Sequence, residues 1–142
     1  MVDRQKIEGK LESIRLRVAR LTQLQQMERS EFLADFRSVD AAKHNLQVAI
    51  EAMVDIANHL IARCGLPMPK SHADAFAVIA GEGWIRPDDA HRFALMARFR
   101  NRMAHLYDEI SDDEVYRVLQ EDLRDFRSFL SAIANRLAAD PS

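Results

Sequence analysis

Cysteine, glycine and proline are all scarce in this sequence, and each scarcity removes a class of structure. One cysteine, Cys64, among 142 residues excludes an intramolecular disulfide framework and suits a reducing compartment. It sits on an apolar register just before Gly65, which predicts a buried structural thiol with no chemistry of its own. Four glycines and four prolines leave few tight turns, and with abundant Ala, Leu, Arg, Glu and Gln they predict an all-α chain. Absent too is any apolar run of about 18 residues, and no basic-then-apolar leader opens the sequence; a cytoplasmic protein with no membrane partner is expected. Charge of one sign is also missing. Twenty Lys and Arg against 22 Asp and Glu leave a net charge of −2, which does not announce a generic nucleic-acid binder. The five histidines, at 44, 59, 72, 91 and 105, lack a recognisable ligand spacing with Cys64 or carboxylates, so neither a metal site nor a cofactor is expected.

What the sequence does carry is helical periodicity. Its 48% hydrophobic content can fill one sizeable core, so residues 1–142 are expected to form a single domain, an up-and-down bundle of about five helices. The first spans residues 3–27, with Ile7, Leu11, Ile14, Val18 and Leu21 as a seam. Its outward basic face, which includes Lys6, Lys10, Arg15 and Arg17, could be taken for a nucleic-acid surface; solvation with pairing to Glu8 and Glu12 is the stronger reading. A second and longest helix opens at Ser30 and runs to Cys64 on one register through Phe32, Phe36, Val39, Leu46, Met53 and Leu60. Lys43 falls on that stripe, at a bend, snorkelling, or meeting a carboxylate. Gly65 in the left-handed conformation should stop it, with Pro67 and Pro69 beyond. Ser71 opens a short helix bearing Phe76 and Ile79. Trp84 and Ile85 should plug a helix junction, with base stacking the alternative for Trp84. Pro87 fits the first position of the next helix, and the capping box from Ser111 to Glu114 opens the last.

Charge, aromatics and a histidine converge on residues 98–108. Met96, Phe99, Met103, Leu106 and Ile110 form one apolar stripe facing the core, while Arg100, Asn101, Ala104, His105 and Asp108 project away from it, with Tyr107 at the edge. Asn101 and His105 are four apart and can touch. An arginine fork suits phosphate, a neutral imidazole can accept a proton near pH 7, and an asparagine amide can orient either the histidine or a ligand. These are parts of a metal-free phosphodiester-cleaving site. The same spacing also describes a solvated helix face on which His105 merely ends the helix and Arg100 pairs with a nearby carboxylate.

Residues 100–107 (RNRMAHLY) resemble the motif of Arg, four residues, His, any residue, Tyr in the HepT-like branch of HEPN-domain toxin ribonucleases. The likeness extends over 55–61 (DIANHLI) and through 66–100, with Phe76, Gly83, Trp84, Ile85, Met96 and Ala97 as landmarks, and so takes in most of the chain from about residue 32. The resemblance implies a type II toxin that cleaves RNA, tRNA or mRNA, with Arg100, His105 and Asn101 as the catalytic group. It also implies a minimal nucleotidyltransferase antitoxin as partner, able to attach AMP to Tyr107. Asp55 and Arg98 are candidate supporting residues, Asp55 as a structural holder of the basic motif helix.

One outward Arg and His pair is a poor active site, because attack of a ribose hydroxyl on the adjacent phosphate needs a base, an acid and anion stabilisation. A two-fold homodimer joining the motif helices would supply both copies to one cleft, an arrangement the resemblance also implies. The competing expectation is a non-catalytic nucleotide-binding or adaptor subunit for a nucleotidyltransferase; a purely structural helical dimer is a third.

Overall fold

The computed structural model describes residues 2–105 and 109–139, and among these the regular structure is helical throughout, with no strand. In chain order they are α1 (Arg4–Gln25), α2 (Arg29–Ala34), α3 (Phe36–Cys64), α4 (His72–Gly81), α5 (Pro87–His105), α6 (Asp112–Glu121) and α7 (Leu123–Ala139). The all-α class stands, but seven helices are described where about five were expected. Two expected helices are each broken once, and each break falls at an aspartate. Asp35 leaves helical geometry (φ −114°, ψ 99°) and its carboxylate accepts from the Arg37 N–H at 3.0 Å and the Ser38 hydroxyl at 3.0 Å, capping α3 and cutting off α2. The break also turns the register: Phe32 is fully buried whereas Phe36, expected on the same stripe, is 73% exposed. Asp122 interrupts the last helix between α6 and α7 without such a side-chain cap: its backbone stays near helical geometry (φ −112°, ψ −3°) and its N–H donates to the Val118 carbonyl. Glu28, not Ser30, occupies the cap position of α2.

Other boundaries follow their local chemistry. Gly65 closes α3 at φ 64°, ψ 36°, where a side chain is disfavoured, and its N–H donates to the Ile61 carbonyl. The Ser71 and Ser111 hydroxyls accept from the N–H groups of Asp74 and Glu114, both at 3.1 Å, and Pro87 opens α5.

Helix α3 is the spine. It packs against α1, α2, α4, α5 and α6, while α7 closes the far side against α1 and α5. Ile7, Leu11, Ile14, Val18 and Leu21 of α1 are all buried, as their spacing requires. Phe76, Phe93 and Phe129, from α4, α5 and α7, meet edge to face with ring centroids 5.4 to 6.1 Å apart. Each is fully buried and removes an apolar surface worth about 1.5–3 kcal/mol from water, so the three fix where α5 sits. Trp84 is 4% exposed and the Arg136 guanidinium lies 4.6 Å from its ring centroid, while Arg136 Nη1 donates to the Glu82 carbonyl at 2.9 Å. The indole plugs the α4/α5 junction, and no base can reach its face. Lys43 is 8% exposed and its Nζ lies 3.6 Å from Asp112, so a lysine on an apolar stripe meets a carboxylate. Cys64 differs from expectation. The final turn of α3 extends past its neighbours, and Ala62, Arg63 and Cys64 are all exposed.

Candidate functional site

The apolar stripe of α5 is in place, with Met96, Phe99, Met103 and, beyond the helix, Ile110 all buried. This orientation leaves Asn101 half-buried and Ala104 and His105 exposed on the other side. Leu106, Tyr107 and Asp108 lie outside the described residues. Arg100 does not extend freely into solvent. It folds back against α3, where its Nε and Nη2 groups both donate to Glu51 Oε1, at 3.1 and 2.6 Å, and Nη1 donates to Asn101 Oδ1 at 3.2 Å. Three of the five guanidinium N–H groups are thus spoken for, and one on each terminal nitrogen remains for a ligand. The side chain is 21% exposed, which leaves it accessible but held in a single direction.

The cleft around this group has a volume of about 280 Å³ and is lined by Glu51, Val54, Asp55, Asn58, His72, Ala97, Arg100 and Asn101. Helix α3 supplies one wall, α5 the other, and the first residue of α4 closes an end. His105 is not among its lining residues; it stands one turn beyond Asn101 on the same row of α5. Arg98, 200° around the helix from Arg100, borders different grooves, between α5 and α4 and between α5 and the α6/α7 pair. The sequence expectation thus divides. Arg100 and Asn101 share a cleft, His105 adjoins them, and Arg98 belongs to another face.

Glu51 is the residue that sequence reasoning missed. Its only local signal is its place four residues before Asp55 on α3, since nothing in the chain announces a partner 49 residues away. Asp55 lines the same cleft, but its carboxylate meets Lys10 Nζ at 3.0 Å, so it ties α3 to α1 and the carboxylate holding the motif helix is Glu51. His72 was likewise unassigned beyond its unsuitability as a metal ligand. His59 accepts from the Asp3 backbone N–H at 3.1 Å and joins α1 to α3; burial, with Lys6 and Arg63 nearby, holds its imidazole below the ordinary pKa.

Burial pushes the Glu51 carboxyl up, but hydrogen bonds from Arg100 and Gln47 and the Arg100 charge outweigh it, so the net shift is below the ordinary value. A carboxylate depressed in the folded state binds fewer protons there than in the unfolded chain. Its contribution is therefore present above the unfolded value, about 4.5, and is lost as pH falls through the folded one. Glu51→Gln should flatten the acid limb of a urea-unfolding series between pH 7 and 3. The effect should stay below about 1 kcal/mol because the carboxylate is 38% exposed and screened by water. An unchanged acid limb would show that the pair contributes nothing to folding.

Two of the neighbouring arginines are engaged by carboxylates. Arg102 forms a fork with Glu114 at 2.8 and 3.0 Å, and Arg92 pairs with Asp89 and with Asp125, the latter at 3.0 Å. The Arg102 fork braces α5 against α6, and the Arg92 pair with Asp125 braces it against α7. Among the five arginines from residue 86 to 102, the one held within the cleft beside an amide and near a histidine is Arg100.

Comparisons with known proteins find relatives over most of the chain. A curated mRNA nuclease HepT from Shewanella oneidensis is 36% identical over 104 residues, covering 73% of this chain and 78% of that protein. A curated tRNA nuclease HepT from Aphanizomenon flos-aquae is 23% identical over 131 residues, 92% of this chain and 89% of that protein. Among solved structures, the tri-AMPylated Shewanella oneidensis HEPN toxin in complex with its MNT antitoxin superposes with a TM-score of 0.84 at 32% identity, over 95% of this chain and 99% of that one. A family profile described as Ribonuclease HepT-like matches residues 11–133, a span that includes all of α3 and α5 and every residue lining the cleft. The chain belongs to the HepT-like family.

Proposed function

We propose that this protein is the toxin of a HEPN and MNT toxin–antitoxin pair, a metal-independent endoribonuclease acting as a homodimer. The observation that carries the reading is the Arg100 guanidinium, held by Glu51 and Asn101 with an N–H left on each terminal nitrogen, one turn from an exposed His105. A nuclease HepT 36% identical to this chain supports RNA as the substrate class, and the HEPN toxin bound to an MNT antitoxin supports the partner.

The chemistry follows from what each group can do. The ribose 2′-oxygen attacks the adjacent phosphorus as its proton passes to a neutral imidazole. The bond from phosphorus to the 5′-oxygen breaks, and an imidazolium protonates the leaving oxygen. Two such histidines are needed, and a two-fold dimer supplies both His105 side chains. Arg100 offers its remaining N–H groups to the non-bridging oxygens, where charge accumulates in the transition state. Asn101 holds Nη1 of Arg100 and lies in reach of His105. Base, acid and cation all come from this chain, so no metal is assigned a step.

Purified protein incubated with structured RNA in excess EDTA should cut it, leaving 5′-hydroxyl and cyclic-phosphate ends, while the His105→Ala protein should not. Cleavage restored only by a divalent ion would refute metal independence. RNA or nucleotide binding without cleavage at any metal concentration would identify a binding or adaptor subunit instead.

A further inference from the structure

Beside the Arg100 cleft lies a second depression, about 410 Å³, between α1 and α3, lined by Lys6, Gly9, Lys10, Ser13, Val48 and Ala52 among others. Glu51 and Asp55 line both, so the two depressions adjoin across α3, one toward α5 and the other toward α1. Two cations stand along them, each against a carboxylate of α3: Arg100 on Glu51 and Lys10 on Asp55. Those carboxylates are four residues apart on one helix, a rise of about 6 Å, a step comparable with that between neighbouring phosphates of an extended single strand.

Gly9 is a second and independent sign. It sits inside α1, where glycine costs about 1 kcal/mol relative to good helix formers, yet a Cβ placed there would meet nothing within 4 Å. No packing within the chain accounts for the missing side chain. It does leave the depression open between Lys6 and Lys10, where a strand would need to approach the helix backbone.

We infer that the α1/α3 depression is a second phosphate subsite, in which Lys10, with Lys6 beside it, binds the RNA phosphate flanking the one at Arg100. The inference rests on the nuclease reading. Its cost is small, since Lys10 and Asp55 are 39% and 54% exposed and such surface pairs contribute little to stability. A phosphate can replace Asp55 as the partner of Lys10.

The test uses full-length His105→Ala protein and a labelled single-stranded RNA, with affinity followed by fluorescence anisotropy across a salt series and folding by thermal melting. Adding Lys10→Gln should weaken binding several-fold and reduce the slope of log affinity against log salt by about 0.7, the loss of one single-strand phosphate contact. Asp55→Asn should tighten binding, which a merely structural tie to α1 would not do. Gly9→Gln should weaken binding while the melting temperature holds or rises. If these variants bind like the parent while Arg100→Ala does not, the subsite is refuted and the nuclease reading stands. Should Gly9→Gln instead split an oligomer, the depression is an interface between copies and the subsite is equally refuted. Unchanged binding in Arg100→Ala as well would overturn both readings.

Discussion

Alanine at His105 should lower RNA cleavage by about 10²–10⁴-fold, the usual contribution of a positioned proton carrier, with little change in thermal stability. The side chain is exposed at the last described turn of α5, and its removal takes nothing from the core. Arg100→Ala should be similarly damaging, by about 10²–10³-fold, because it deletes the cation facing the charge on phosphorus. It differs in one respect. The Glu51 carboxylate would lose the two N–H groups it accepts from Arg100, so a modest fall in stability should accompany the loss of activity. Arg100→Lys separates the two effects, since a lysine can still neutralise Glu51 but cannot serve it and a phosphate together in one plane. Single-turnover cleavage of an end-labelled RNA, with unfolding curves for the same proteins, reads both quantities. Wild-type cleavage by both alanine variants would exclude this pair from the chemistry.

Tyr107→Phe should keep most of the ribonuclease activity and yet escape the antitoxin. Tyr107 lies outside the described residues, and the expectation comes from its place in the motif, two residues after His105, and from the tri-AMPylated state of the Shewanella oneidensis toxin. A nucleotide ester on the tyrosine would carry a phosphate on a residue seven positions along the chain from Arg100. There it could occupy the position meant for the RNA phosphate and neutralise the guanidinium. Phenylalanine preserves the ring and removes the one oxygen that can be modified. Incubation with the antitoxin and ATP, followed by intact-mass measurement and an RNA-cleavage assay, should show AMP on the wild type and none at this position in the variant. Cleavage by the variant should persist. Full inhibition of an unmodified variant would place neutralisation in antitoxin binding alone.

The parts of the fold that depend on a few consecutive residues were legible in the sequence. Ser71, Gly65, Pro87 and Ser111 act through their own backbone geometry or a partner three or four residues away, and each boundary they predicted is present. The breaks at Asp35 and Asp122 were not legible, because apolar residues continue at helical spacing on both sides. Periodicity alone cannot tell a continuous helix from two helices sharing a core. In the candidate site the motif spacing placed Asn101 and His105 on one outward row of α5. It could not show that Arg100 bends back to Glu51, nor that Asp55 turns to Lys10. Those pairings depend on how α1, α3 and α5 cross, and they join residues 45 and 49 positions apart. Cys64 shows the same limit from the other direction: its register was apolar, but the last turn of α3 has no neighbour to bury it.

On the proposed mechanism, two incomplete sites become one when the α5 helices of two subunits face each other. The most direct measurement is a distance across that pair, by pulsed EPR between spin labels at Ala104→Cys in a Cys64→Ser background. Ala104 is exposed between Arg100 and His105, and Cys64, also exposed, would otherwise take label. Facing α5 helices should give a single short intersubunit distance, with both histidines close to both arginines. Uncoupled labels, as in a monomer, or a distance placing the two α5 helices on opposite sides of the dimer, would contradict the mechanism.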